Sequence, residues 1–220
     1  MQNEAITLKS FFNDCEKANK ISSPMKDIKV KEPLPKKPNI YTQPEIRKML
    51  VVKHPRDRAM LLLGLLVGLR KGEMASRKWE HMDWTADDVW ARVEDDFIPK
   101  DKGARSIPLN PVLKEAWQEW YKLSKQNKEE DFVFPGRKGR YSHFDVLMGA
   151  TLKKYGIKGY CKKFRDKAAS YWLATGVPLQ NVREWLGHSD IKIANHYLNY
   201  LPKAIEPDIR MIFVWKFGRE

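Results

Sequence analysis

YCKKFRDKAASYWLATGVPLQNVREWLGHSDIKIANHYLNY, residues 160–200, is the stretch from which the fold is best read. Ala168, Ala169, Tyr171, Trp172 and Leu173 supply a buried side at helical spacing, and Lys162 and Arg165, three apart, share one face. Thr175-Gly176 ends that helix, and Pro178 to Leu186 predicts another, stopped by Gly187 in the left-handed conformation that helix ends favour. His188 then falls just past a helix C-terminus. Ser189 or Asp190 is placed to cap a third helix, with Ile191, Ala194, Leu198 and Leu201 expected to pack inward and the Tyr197 hydroxyl expected to point elsewhere.

Upstream, Thr42 before Pro44 and Glu45 is a helix start, with Ile46, Met49 and Leu50 as its buried face. From about Arg56 a second helix is apolar nearly all round and belongs in the middle of the domain. It ends in Gly68-Leu69-Arg70-Lys71-Gly72-Glu73, which puts Arg70 at the mouth of a core element with Glu73 within reach of its guanidinium. Short alternating segments from Trp79 to Leu109 predict a small antiparallel sheet with the basic turn 100–105 at a hairpin tip. Helices are expected again over 111–126 and 142–155. The fold class is therefore mainly α with a small antiparallel β-sheet.

Composition narrows the partners. The 220 residues hold 41 Lys and Arg against 28 Asp and Glu, a formal charge of +13 that concentrates polyanions at the surface, nucleic acid above all. Two cysteines far apart, without metal-ligand spacing, suggest neither a disulfide framework nor a zinc site, and a reducing cytosol fits. The apolar run from Ala59 to Leu69 is far short of a membrane span, and the start of the chain does not read as a secretory signal. Residues 1–25 predict one helix with an aromatic face, ending near Ser22-Ser23-Pro24. The Lys- and Pro-rich segment 26–39 reads as a linker able to lie along phosphates or simply to tether.

Four segments in order, GLRKGE (68–73), KDKGARSIPL (100–109), KKFRDKAASYW (162–172) and LGHSDIKIANHY (186–197), resemble the catalytic domain of the tyrosine recombinases, the phage-integrase family. The likeness covers about residues 26–200. Residues 8–25 also resemble the last helix of that family's core-binding domain, so residues 1–25 are expected to be its remnant, 26–40 a basic linker, 41–200 the catalytic domain and 201–220 a tail. The chain is expected to be a catalytic fragment or a short member. Ile212, Phe213, Val214, Trp215 and Phe217 would let the tail dock on a neighbour or pack on its own domain.

The resemblance implies a DNA recombinase that cleaves one strand, holds it as a 3′-phosphotyrosine and passes it to a 5′ hydroxyl. Arg70 and Arg165 would clamp the scissile phosphate, Lys100 would protonate the leaving oxygen, His188 would donate to the phosphate and Tyr197 would attack. Convergent cations both lower a tyrosine's pKa and neutralise growing phosphate charge, so no metal or other cofactor is expected. Lys162 stands where the family usually has His. It is expected to donate to the phosphate and to stand in as acid or base, with Lys163, Arg165 and Lys167 crowding it. Lys36, Lys37, Lys102, Arg105, Lys163 and Lys167 are the remaining expected DNA contacts.

The expected partners are double-stranded DNA, further copies of the chain in a tetramer and accessory DNA-bending proteins; the expected place is the cytoplasm, at the nucleoid. A type IB topoisomerase or a DNA-binding module without catalysis are the alternatives.

Overall fold

The structure is a computed structural model that describes residues 2–30, 37–91, 104–137, 139–187, 197–199, 201–202 and 204–213. It divides into two compact units, Met1–Lys37 and Pro38–Glu220.

The first unit carries α1 (Gln2–Lys17). The helix is shorter than its apolar spacing suggested, because Asn19 takes a left-handed φ of 53° and the chain closes on itself through Asn19 N–H to the Glu16 carbonyl. Phe11 and Phe12 meet edge on at 5.4 Å, yet Phe11 stays 57% exposed. Lys9 Nζ donates to the Ile28 carbonyl, tying the following segment back along the helix.

In the second unit, α2 (Gln43–Leu50) begins as its residues dictate: Thr42 caps it, and Glu45 returns a carboxylate to the Thr42 N–H at 2.7 Å. Next comes α3 (Pro55–Val67), whose residues from Ala59 onward are all buried. An apolar helix without a polar side must be covered on every side. Here α5 (Pro111–Leu123) and α7 (Cys161–Ala174) are its principal neighbours, with α2 and α6 (Phe144–Lys154) also against it. The Trp117 indole donates to the Ala59 carbonyl and fixes α5 to α3.

Beyond α3 lie the short α4 (Lys71–Ala75) and an antiparallel sheet of β1 (Met82–Asp83), β2 (Asp88–Ala91) and β3 (Arg105–Pro108) in that order. Val89 faces Ile107 and Ala91 faces Arg105. A two-stranded hairpin, β4 (Pro135–Gly136) with β5 (Gly139–Arg140), precedes α6. Buried Arg77 ties α4 to the sheet by donating to the Glu73 carbonyl at 2.7 Å and to the Trp90 carbonyl. The architecture is mainly α with small antiparallel sheets, as its pattern of apolar residues requires.

The chain continues through α8 (Leu179–Leu186) to α9 (Pro207–Ile212). The tail through Phe213 packs on its own unit: Ile209 and Phe213 are fully buried, Phe213 lies 4.8 Å from the Tyr171 ring, and Arg47 of α2 pairs with Glu206 and Asp208. Val214, Trp215 and Phe217 lie outside the described residues. Among the described residues no helix is long and apolar enough to cross a membrane.

Candidate active site

The site is built where two helices end. Gly68, with φ 63°, stops α3 and turns the chain so that Arg70 becomes the residue before α4. A side chain at position 68 would be strained by that φ and would press on Ala168 and Trp172 of α7. The Arg70 N–H donates to Glu73 Oε2 at 2.8 Å, and its Nη1 to Glu73 Oε1 at 3.2 Å, so one carboxylate fixes both the backbone and the guanidinium. Glu73 is fully buried.

The second end is that of α8, closed by Gly187 with φ 63°. The last carbonyls of a helix have no partner within it and carry the negative end of its dipole. Three guanidiniums take them in succession. Arg105 Nε donates to the Trp185 carbonyl at 2.8 Å, Arg165 Nη2 to the Leu186 carbonyl, and Arg70 Nη2 to the Gly187 carbonyl at 3.3 Å. Arg165 Nη1 also donates to the Gly68 carbonyl at 2.9 Å, so this one residue joins the ends of α3 and α8.

Charges are balanced behind this cluster. Arg105 Nη2 lies 2.7 Å from Glu73 Oε2. Burial by itself would raise the Glu73 carboxyl's pKa; Arg105, the Arg70 N–H and Arg165 outweigh it and hold the group below its ordinary value. Burial, reinforced by Arg70, brings the Arg165 guanidinium down to about 10, with Glu73 opposing and Arg105 adding to the fall. Two neighbouring guanidiniums with one counterion set further back form a place for a doubly hydrogen-bonding anion such as a phosphodiester.

Tyr197 is brought to the same cluster and is 5% exposed. Its hydroxyl donates to Asp166 Oδ1 at 2.9 Å. Burial and then Asp166 push its pKa above the usual phenol value, while Arg165 and Arg70 pull it down. Leu198 and Leu201, expected to pack inward, are 42% and 38% exposed: the turn is rotated so that the tyrosine faces α7. Lys162 has a 77% exposed side chain and its Nζ lies 3.4 Å from Asp166 Oδ2. Its close partner is a carboxylate, not the crowd of cations expected.

Three residues expected at the DNA lie inside the protein. Arg105 is 7% exposed and spent on Glu73 and Trp185. Lys163 is 8% exposed, 3.4 Å from the Glu45 carboxylate and over the Tyr41 ring. Lys167 is fully buried against Tyr171 with no hydrogen-bond partner among the described residues, and burial lowers its pKa to about 6. The cause is common to the two lysines: α7 is covered nearly all round, so basic side chains along it turn inward. Lys37 is exposed in the first unit. Lys36, Lys100, Lys102 and His188 lie outside the described residues.

Asp166 was missed in the sequence, although Lys162 four residues before it signals an i, i+4 ion pair. Its contact with Tyr197 had no local signal.

The chain is similar to the tyrosine recombinase XerD of Oceanobacillus iheyensis, 28% identical over 192 residues, which are 80% of this chain and 60% of that one. It thus spans less than two thirds of that relative's length. Its fold is similar to that of the Tn1549 transposon integrase in complex with transposon right end DNA, with a TM-score of 0.69 at 20% identity, covering 95% of this chain and 76% of that one. A lambda integrase tetramer bound to a Holliday junction gives a TM-score of 0.63 at 14% identity, covering 92% of this chain and 60% of that one. The model of the phage integrase family matches residues 40–203, which include α2 to α8 and every member of the arginine, carboxylate and tyrosine cluster, and the chain belongs to that family.

Proposed function

We propose that the chain is a site-specific DNA recombinase that cuts and rejoins strands through a 3′-phosphotyrosine. The observation that carries this reading is the Tyr197 hydroxyl held on Asp166, the residue next to Arg165 on α7, with Arg165 and Arg70 both bonded to carbonyls at the end of α8. A phosphodiester held by the two guanidiniums would have its developing charge neutralised and its phosphorus presented to the tyrosine oxygen. Tyr197 forms the ester, the 5′ oxygen leaves with a proton, and attack by a 5′ hydroxyl reverses the step on a new strand. Lys100 as the proton donor and His188 as a phosphate contact complete the set. The positive side chains fill the role a metal would otherwise have, so the reading requires no cofactor.

Exchange between two duplexes calls for several copies of the chain, and a tetramer on double-stranded DNA is the assembly that fits. Accessory DNA-bending proteins and a place at the nucleoid, in the cytoplasm of a bacterium or a phage-infected cell, belong to the same reading. Lys37, with Lys36 and Lys102, is the DNA contact retained from the basic residues.

Covalent trapping tests it. The full chain is incubated with nicked duplexes carrying its candidate site, selected by binding from a random-sequence pool, and resolved on a denaturing gel beside Tyr197→Phe. A protein–DNA adduct that vanishes in the variant is the expected result. Salt-sensitive binding to the same pool without any adduct would leave a DNA-binding module in its place.

A further inference from the structure

We propose that Asp166 is a catalytic residue that takes the hydroxyl proton of Tyr197 as the tyrosine oxygen attacks phosphorus. The inference rests on the recombinase reading and names a base that the expected set of residues does not contain.

The geometry comes first. The hydroxyl points its proton at Asp166 Oδ1 across 2.9 Å, within the range in which a positioned carboxylate can accept a proton during reaction. Arg70 and Arg165 act on the same hydroxyl electrostatically, opposing the effect of burial. Lys162 lies against the other carboxylate oxygen, Oδ2, at 3.4 Å, so Oδ1 is the one turned to the tyrosine. The other buried carboxylate of the cluster, Glu73, is already bonded to Arg70 and Arg105.

Electrostatics then select concerted transfer. Loss of the proton to solvent in advance would leave a phenolate beside a carboxylate in buried surroundings, where like charges repel strongly, and early transfer to Asp166 would run from a phenol to a carboxylate, ordinarily a far weaker base. Loss of the proton ahead of attack is thereby disfavoured. Transfer during attack avoids it: the Oη–P bond forms, the P–O5′ bond breaks, the proton passes to Oδ1, and the leaving 5′ oxygen takes a proton from a cationic acid, the part expected of Lys100. In rejoining, the 5′ hydroxyl gives its proton back to that acid as its oxygen attacks phosphorus, the Oη–P bond breaks and Asp166 returns its proton to Tyr197. An aspartate accepting a hydroxyl proton is established chemistry in phosphoryl transfer. The charged groups facing the pair are Lys162 and Arg165 from α7 and Arg70 from the start of α4, with Glu73 and Arg105 behind them.

The test is single-turnover cleavage of nicked duplexes selected from a random-sequence pool for adduct formation and remade with a 5′-bridging phosphorothiolate at the cleaved bond, whose sulfur leaves without needing an acid. Asp166→Asn should slow adduct formation by about 100- to 10,000-fold, and the sulfur should not restore it, which separates loss of a base from loss of an acid. DNA binding and the thermal midpoint should be unchanged. Cleavage by Asp166→Asn as fast as the parent or faster would overturn the proposal and make Asp166 a restraint on the resting tyrosine. Should that variant fail to fold, Asp166→Glu carries the test: a carboxylate kept at the position should keep adduct formation within about tenfold of the parent, and its loss in a folded variant overturns the assignment. Absence of any adduct with the parent is a different failure, that of the recombinase reading itself.

Discussion

Arg105 and Glu73, 32 positions apart in the chain, meet at 2.7 Å where neither is more than slightly exposed. Glu73 also holds Arg70, so this one carboxylate compensates two guanidiniums of the site. Glu73→Gln should therefore destabilise the fold by about 3–5 kcal/mol at neutral pH, the cost of leaving buried charge unpaired. Its lowered pKa sets the sign: the contribution is complete above the unfolded value near 4.5 and is lost as pH falls through the folded value. Urea denaturation of parent and variant should converge in acid and stay apart above it.

Arg105→Lys tests whether geometry matters beyond charge. An ammonium can reach the Glu73 carboxylate or the Trp185 carbonyl, but it lacks the planar fork that serves both. A double-mutant cycle of Arg105→Lys with Glu73→Gln should give a coupling energy of about 1–3 kcal/mol, read from denaturation midpoints. Additive effects would mean that the two side chains do not act together.

Lys167 should make the protein less stable than it needs to be. Between its folded pKa of about 6 and its ordinary 10.5, the unfolded chain holds a proton that the folded chain lacks, so stability rises with pH across that window. The slope from this group is at most about 1.4 kcal/mol per pH unit. Lys167→Met should raise the thermal midpoint at neutral pH and flatten that slope, measured as thermal melts across a pH series.

The C-terminal segment offers a comparison of apolar and ionic anchoring. Phe213 is fully buried against Tyr171, and Phe213→Ala should cost about 3–5 kcal/mol through transfer and cavity effects. Arg47→Ala removes contacts to Glu206 and Asp208 that lie in solvent, and should change the denaturation midpoint little and in a salt-dependent way.

Local spacing by itself determined much of this protein. The capped start of α2, the all-apolar α3, the left-handed Gly68 and Gly187 and the reach of Glu73 to Arg70 each depend on residues a few positions apart, where the helix repeat converts sequence distance into spatial distance. Only the tertiary structure decided where the other cations point. A helix pattern predicts an outward face when the helix has one, and α7 has almost none, so Lys163 and Lys167 went inward while Lys162 stayed in solvent. Arg105 left the expected hairpin tip for the interior because Glu73 and the end of α8 needed its donors. Asp166 and Tyr197, 31 positions apart, meet because α7 and the chain after α8 are packed against the same core, and no spacing within either segment encodes that contact.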